Sequence, residues 1–319
     1  MSSQALESTL SSYHPLVPIP YFQCGFTTST LSISSNPSLA IVDLIDEFIG
    51  VHKISSRTAH PLVSPPNPID HGINDSEYES NCVCLPPPPL AWEAFYPKGS
   101  INPSAEIPGG FGFYLSGPKE FSDGLLSSSD GTGAKEILMS YRMMLQSDWE
   151  WAKGGKLPGV FGGIDNLAYG CSGGRKDGRE SCFDVRIMWR SKGAGELYIY
   201  LPLTAENKKR LSNVPPLSLE NPDFGFSVGR GAFFIPVGRW ISIAIRVKLN
   251  AVGVDDGEIE LWIDGASVIS ITGLSFRNSE KSGLKGMHFQ TFFGGNKPDW
   301  ASPKDQRAWF ADVTGVIVG

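Results

Sequence analysis

Two short runs of alternating apolar and polar residues, separated by a polar break with glycines, lie between Phe183 and Pro202 in the stretch FDVRIMWRSKGAGELYIYLP. This pattern predicts two antiparallel strands joined by a tight loop, because successive side chains on a strand point to opposite faces. One face is entirely apolar, and we expect it to pack on a core. Its residues are Phe183, Val185, Ile187, Trp189, Leu197, Ile199 and Leu201.

The opposite face of this predicted hairpin carries Asp184, Arg186, Met188, Arg190, Glu196, Tyr198 and Tyr200. A five-residue loop over 191–195 would create the cross-strand pairs Arg190–Glu196, Met188–Tyr198 and Arg186–Tyr200. A guanidinium beside two phenols could bind a carboxylated sugar through charge-assisted hydrogen bonds and ring contacts. The alternative is that these polar residues simply face water on a half-solvated sheet.

The rest of the chain favours many short strands. Its 319 residues include 36 glycines and 24 prolines, and segments with a helical period are scarce. Roughly ten alternating segments separated by turn signals predict an all-β fold, namely a β-jelly roll sandwich of two antiparallel sheets with a concave binding face. We expect a flexible N-terminus over 1–13 and one domain over 14–319, with a proline-rich loop insertion at about 64–89.

Charge and hydropathy argue against several classes of partner. The net charge of −6 gives no basic footprint for nucleic acid or an anionic membrane surface. No apolar run approaches the roughly 18 residues of a membrane-spanning helix. The first 20 residues lack the basic start and apolar region of a signal peptide, so we expect a cytoplasmic protein, or a secreted one if the sequence is a mature form.

The cysteines and histidines give no metal pattern. Cys82 and Cys84 have no matching pair nearby, and the five histidines are scattered, so we expect neither a metal nor a cofactor. Cys171 and Cys182 flank a Gly/Arg/Lys loop. They could form a disulfide in an exported protein, whereas free thiols would be expected in a reducing compartment.

Several long motifs together resemble polysaccharide lyase family 14, particularly its fungal members. They are WEAFYPKGSINPSAEIPGGFGFYLSGP, GGKLPG, GCSGG, FDVRIMWR, GELYIYLP, NPDFGFSVGRGAFFIPVGRW, DGEIELWIDG and HFQTFFGGNKPDWASPKDQ. The resemblance spans about Leu16 to Val318, apart from the proline-bounded insertion. It implies a β-jelly roll whose concave sheet binds acidic polysaccharides such as alginate or glucuronan and cleaves them by β-elimination.

The same resemblance implies which residues act. The family has a lysine in a KLPG segment, an S-x-R strand motif and a Y-x-Y motif. By position these give the predicted catalytic residues Lys156, Arg186, Tyr198 and Tyr200. The serine position is occupied by Asp184, which departs from the family pattern. We predict Asp184, Arg190 and Gln290 as substrate-binding residues, and an acidic polysaccharide or oligosaccharide as the partner.

The chemistry of β-elimination suggests a role for each group. Arg186 suits the cation that neutralises the sugar carboxylate as charge develops. Tyr198 or Tyr200, with its pKa lowered toward phenolate by Lys156 and Arg186, could be the base, the acid or both. Lys156 is the other candidate base. Asp184 would repel an anionic sugar or bind the arginine or lysine, so we expect it to weaken or retune the activity.

Two other classes of function stay open. A lectin-like carbohydrate-binding protein would use the same sheet without catalysis, and the missing export signal and Asp184 favour it. A structural or defence protein with a vestigial cleft is a third possibility. His288 lies between Met287 and Phe289 in a predicted strand and is interpreted as a packed or surface histidine rather than a general base.

Overall fold

Strands dominate the computed structural model of the protein, which describes residues 13–68, 85–126, 133–175, 177–221 and 224–319. The helices of this part of the chain are α1 (Lys119–Leu125) and α2 (Ala205–Ser212). Its strands are β1 (Cys24–Thr27), β2 (Leu39–Ile41), β3 (Val51–His52), β4 (Leu62–Val63), β5 (Ala91–Tyr96), β6 (Phe111–Leu115), β7 (Glu136–Leu145), β8 (Gly154–Gly163), β9 (Cys182–Arg190), β10 (Ala194–Tyr200), β11 (Leu219–Glu220), β12 (Phe226–Phe234), β13 (Trp240–Lys248), β14 (Gly257–Ile263), β15 (Ala266–Leu274), β16 (Gly283–Phe293) and β17 (Gln306–Ile317).

These strands form two sheets. The first has the order β15-β14-β13-β7-β17-β1-β2, with β5 beside β17 and β4 beside β5. The second has the order β11-β12-β10-β9-β8-β16-β6-β3, so the hairpin β9–β10 lies in its interior. The pairing of β1 with β2 is parallel, and the other described pairs are antiparallel. The predicted all-β sandwich of two antiparallel sheets is confirmed.

The two sheets pack face to face through a core rich in aromatic rings. The ring of Phe289 on β16 lies 5.4 Å from that of Tyr141 on β7 and 5.8 Å from that of Phe310 on β17. The predicted apolar face of the β9–β10 hairpin belongs to this core in full. Burying one such side chain contributes about 1.5–3 kcal/mol, so this face fixes which way the hairpin is turned.

The register of the hairpin differs from the prediction by two residues. Glu196 pairs with Met188, Tyr198 with Arg186 and Tyr200 with Asp184. The reason is a shorter connection, because β9 continues to Arg190 and β10 begins at Ala194. The turn uses left-handed backbone at Lys192 (φ 61°) and Gly193 (φ 78°). A shift of two residues leaves every side chain on its predicted face.

Part of the predicted domain organisation lies outside the described residues. This holds for residues 1–12 of the expected flexible N-terminus and for residues 69–84 of the expected insertion. The described end of the insertion is anchored, since Arg142 Nη1 donates a 2.8 Å hydrogen bond to the carbonyl oxygen of Pro86. In the described part of the chain, no helix has both the length and the hydropathy needed to cross a membrane.

A disulfide joins Cys171 to Cys182, whose Cα atoms lie 5.7 Å apart. It closes the segment that leads into β9, which follows the 3-10 turn Asp165–Gly170 and contains the 3-10 turn Arg179–Ser181. Of the two states considered from the sequence, the structure contains the bridged one.

We expect the double variant Cys171→Ser/Cys182→Ser to lose about 3 kcal/mol of unfolding free energy, since the cross-link restricts the unfolded chain. Urea denaturation would measure the loss, and Cys24→Ser is the control because Cys24 is exposed and unbridged. Equal stability of the double variant and the wild type, together with no Cys171–Cys182 peptide in a non-reducing digest, would contradict the disulfide.

Candidate functional site

Strand register brings the four predicted catalytic residues onto one face of the second sheet. Tyr198 on β10 pairs with Arg186 on β9. On the other side of β9, Lys156 on β8 pairs with Met188. These side chains and Tyr200 share the face that points away from the core. Their proximity follows from the register, and their catalytic roles stay a prediction.

This face is not the solvent-exposed trough that the sequence led us to expect. Arg186 and Tyr200 are each 2% exposed, and Lys156 is 9% exposed. The Cys171–Cys182 disulfide packs with Met188, Tyr198 and Tyr200, and the half-buried Trp300 lies against the same cluster. The guanidinium of Arg179 lies 4.7 Å above the Tyr200 ring. Segments from outside the sheet therefore cover its polar face.

Burial disfavours the charged form of Lys156. Its Nζ lies 3.0 Å from Met188 Sδ and 3.7 Å from the centre of the Tyr198 ring. Burial holds the pKa of Lys156 well below its ordinary value of 10.5, and the charges of Arg186 and Arg190 lower it further. The amine is therefore poised to accept a proton, as a general base must.

The two tyrosines show the opposite effect. Their ring centres lie 5.6 Å apart. Burial raises the pKa of both phenols, and for Tyr200 it outweighs the lowering effect of Arg186. The expected shift toward phenolate is therefore wrong, because sequence reasoning had placed these side chains beside water. A protonated phenol suits a general acid rather than a base.

Arg186 is held by two of the predicted substrate-binding residues. Its Nη1 donates a 3.1 Å hydrogen bond to Gln290 Oε1, and its Nε lies 3.2 Å from Asp184 Oδ2. Asp184 Oδ1 and Arg186 Nε are buried without a hydrogen-bond partner of good geometry. The arrangement thus fixes the guanidinium plane while leaving polar atoms unsatisfied around it.

His288 completes this group, as a packed residue. Its Nδ1 lies 2.8 Å from Asp184 Oδ2, and its ring stacks on Tyr114 with the ring centres 4.4 Å apart. Burial and the charge of Arg186 lower the pKa of His288, so the imidazole is neutral near pH 7 and its Nδ1–H donates to the carboxylate. Strand pairing of His288 on β16 with Gly159 on β8 brings the imidazole next to Asp184. No local sequence motif predicts this long-range contact.

Arg190, the third predicted substrate-binding residue, belongs to a buried ion network. Its Nε and Nη2 donate to Glu196 Oε1 at 2.8 and 2.5 Å. Glu196 is fully buried, and its Oε2 accepts from Ser227 Oγ at 2.6 Å and from Arg230 Nε at 2.7 Å. Sequence reasoning missed Ser227, Arg230 and Arg179, which reach the site from β12 and from the disulfide-closed segment.

The arrangement supplies the three groups that proton abstraction next to a carboxylate requires. An amine whose charged form burial disfavours, a guanidinium and two protonated phenols share one dry face, where electrostatic interactions are stronger than in water. Among the described residues, no group of three or more His, Cys, Asp or Glu side chains is placed to hold a metal ion.

Comparison with known proteins gives independent evidence. The family model described as polysaccharide lyase 14 matches residues 89–313. The marine PL-14 alginate lyase from Aplysia kurodai is 32% identical, with a TM-score of 0.61, and the match covers 72% of this chain and 83% of that one. A comparison with curated proteins found no match.

Two more distant structures support the fold. Alginate lyase vAL-1 from Chlorella virus is 23% identical with a TM-score of 0.56, and 73% of this chain and 87% of that one are covered. A mutant of alginate lyase Aly36B in complex with an alginate tetrasaccharide is 18% identical with a TM-score of 0.52, covering 72% and 81%. The chain belongs to the polysaccharide lyase 14 family.

Proposed function

We propose that the protein cleaves a uronate-containing polysaccharide by β-elimination at the face formed by Lys156, Arg186, Tyr198 and Tyr200. The observation that carries this proposal is the buried Lys156, whose Nζ lies 3.7 Å from the Tyr198 ring centre and whose pKa is lowered by burial, beside two phenols whose pKa is raised. Family membership supports the same class of reaction.

Binding of the sugar carboxylate is the first requirement. Removing the proton on the carbon next to a carboxylate builds negative charge on that carboxylate, and a planar guanidinium can stabilise it through paired hydrogen bonds. Arg186 is the group for this role, and Gln290 beside it offers an amide. Asp184 is already ion-paired with this guanidinium, so the substrate carboxylate must compete with Asp184 for it.

The elimination itself uses one base and one acid. Lys156 takes the proton, the electron pair left on carbon forms the double bond, and the bond to the glycosidic oxygen breaks. A phenol, Tyr198 or Tyr200, gives its proton to the departing oxygen. The rate should rise as the pH increases through the lowered pKa of Lys156 and fall above the raised pKa of the phenol.

Alginate is the substrate that we propose to test first. The enzyme from Aplysia kurodai, 32% identical to this chain, is an alginate lyase. Mannuronate, guluronate and glucuronate all present the carboxylate and the adjacent proton that this chemistry needs. Glucuronan and related polyuronates therefore belong to the same panel.

A carbohydrate-binding protein without catalysis is the second candidate. The observation that favours it is the state of Arg186, which is 2% exposed and already bound to Asp184 and Gln290. A face closed in this way could hold a sugar ring weakly and never reach the geometry for proton transfer.

Absorbance of the unsaturated product separates the two candidates. We expect a rise with at least one polyuronate, and a loss of at least about 100-fold in rate for Lys156→Ala and for at least one of Tyr198→Phe and Tyr200→Phe, because general acid–base groups contribute that much. Tyr21→Phe is the control, since Tyr21 is 65% exposed and lies outside the site. Saturable glycan binding without any rise in absorbance would support the second candidate.

Replacing the buried base should increase stability while it removes activity. We expect Lys156→Met to gain about 1 kcal/mol of unfolding free energy at pH 7, because burial penalises the charged form of this lysine in the folded protein but not in the unfolded chain. The gain should shrink toward pH 10, where the unfolded chain releases this proton. Urea denaturation of the variant and the wild type at pH 7 and at pH 10 measures this gain in unfolding free energy.

Lys153→Met is the matched control for this experiment. Lys153 is half-exposed and ion-paired with Asp299, and such pairs contribute little. A lower stability of Lys156→Met than of the wild type at pH 7 would show that Lys156 is charged and stabilising in the folded protein.

We expect Asp184→Ser to lower the stability of the fold and to strengthen substrate binding. The change leaves Arg186 and His288 without their shared carboxylate, which we expect to cost about 3 kcal/mol of unfolding free energy. It also frees the guanidinium for the sugar carboxylate, so KM should fall. Kinetics and denaturation of the same sample measure both effects, and an unchanged turnover and KM would contradict a tuning role for Asp184.

A further inference from the structure

Arg179 lies beside the proposed site but belongs to none of its sequence motifs. It begins the 3-10 turn Arg179–Ser181, directly before β9 and inside the segment closed by the Cys171–Cys182 disulfide. Its side chain is 4% exposed. The disulfide therefore helps to hold this arginine over the sheet.

The contacts of Arg179 join two covering segments to the tyrosine pair. Its Nε and Nη2 donate to the carbonyl oxygen of Arg175 at 3.1 and 2.6 Å, and Nη2 also donates to that of Phe224 at 3.0 Å. Its guanidinium lies 4.7 Å above the Tyr200 ring. Next to Phe224, a Cβ on Gly225 would lie 3.5 Å from the Tyr198 ring.

The charge of Arg179 has no acidic partner among the residues that the structure describes. Within the residues that the structure describes, no carboxylate lies within ion-pair distance of its guanidinium, unlike Arg186 and Arg190. Its Nη1 is buried without a hydrogen-bond partner. A buried cation is costly unless it is compensated, and the nearest compensating groups here are carbonyl oxygens and the face of Tyr200.

We propose that Arg179 is a positioning residue for Tyr200, holding its ring in place and stabilising the phenolate that forms when this phenol gives its proton to the departing sugar oxygen. This inference rests on the proposed β-elimination. The O–H bond of Tyr200 breaks, the proton moves to the leaving oxygen, and the negative charge left on Tyr200 faces the uncompensated guanidinium. Water returns the proton after product release.

Several groups act on Tyr200 together with Arg179. Arg186 and Asp184 face it from β9 with opposite charges, Tyr198 lies beside it on β10, and the backbone of Gly174 reaches it from the covering segment. Arg186 is already paired with Asp184. In the described part of the chain, Arg179 is a cation near Tyr200 that is not paired with a carboxylate.

The test compares Arg179→Gln and Arg179→Lys with Arg175→Gln as the matched control, because the Arg175 side chain is exposed in the same segment. Tyrosines are replaced by 3,5-difluorotyrosine, whose phenol ionises at lower pH, and the 19F resonance of residue 200 is assigned by its loss in Tyr200→Phe. We expect Arg179→Gln to raise the titration midpoint of this resonance by about half a unit to one unit. Arg179→Lys, which keeps the positive charge, should have a titration midpoint close to that of the wild type.

Kinetics on the unlabelled full chain give the second measurement. We expect Arg179→Gln to lower kcat about tenfold with KM within about twofold, since the effect of the charge appears as the phenolate forms. A midpoint equal to that of the wild type, or the same changes in Arg175→Gln, would overturn the proposal. If the wild type releases no unsaturated product from any polyuronate, the proposed function fails, while the fluorine midpoint still decides whether Arg179 acts on Tyr200.

Discussion

Burial of a polar sheet face dominates the pKa shifts of Lys156, Tyr198 and Tyr200 in the candidate site. The two-residue alternation along β9 and β10 gives this hairpin one apolar and one polar face, and the fold covers both. Removing a side chain from water penalises its charged form. The same desolvation therefore lowers the pKa of Lys156 and raises the pKa of Tyr198 and Tyr200.

Carboxylates accompany the two arginines of β9 on this face. Asp184 lies between Arg186 and His288, and Glu196 lies between Arg190 and Arg230. Removing one partner from a buried pair is costly, so these networks fix the side chains firmly. Lys156 lies on β8, next to β9, and has no carboxylate within ion-pair distance among the described residues, so desolvation dominates its pKa.

Local alternation in the sequence was sufficient to predict which side chains share the site face. The register was wrong by two residues because Ser191–Gly193 make a shorter connection than the sequence suggested, yet a shift of two preserves the faces. What local reasoning could not supply comes from distant segments. Asp184 and His288 are 104 residues apart, and Glu196 and Arg230 are 34 apart. Arg179 and Trp300 cover the face through such long-range contacts. Because this cover buries the tyrosines, the direction of their pKa shifts could not be predicted from local sequence either.

The cover has a consequence for how a substrate could be processed. A ligand that reaches Arg186 must displace part of the covering segment or Trp300, so its apparent affinity is reduced by the fraction of molecules in the open state. Opening alone would admit water, and the pKa of Lys156 would return toward its ordinary value, leaving the base protonated at neutral pH. A sugar ring that takes the place of the covering atoms keeps the face dry. The substrate itself must therefore complete the desolvation that makes Lys156 a base, and a shorter oligosaccharide that leaves part of the face wet should be turned over more slowly.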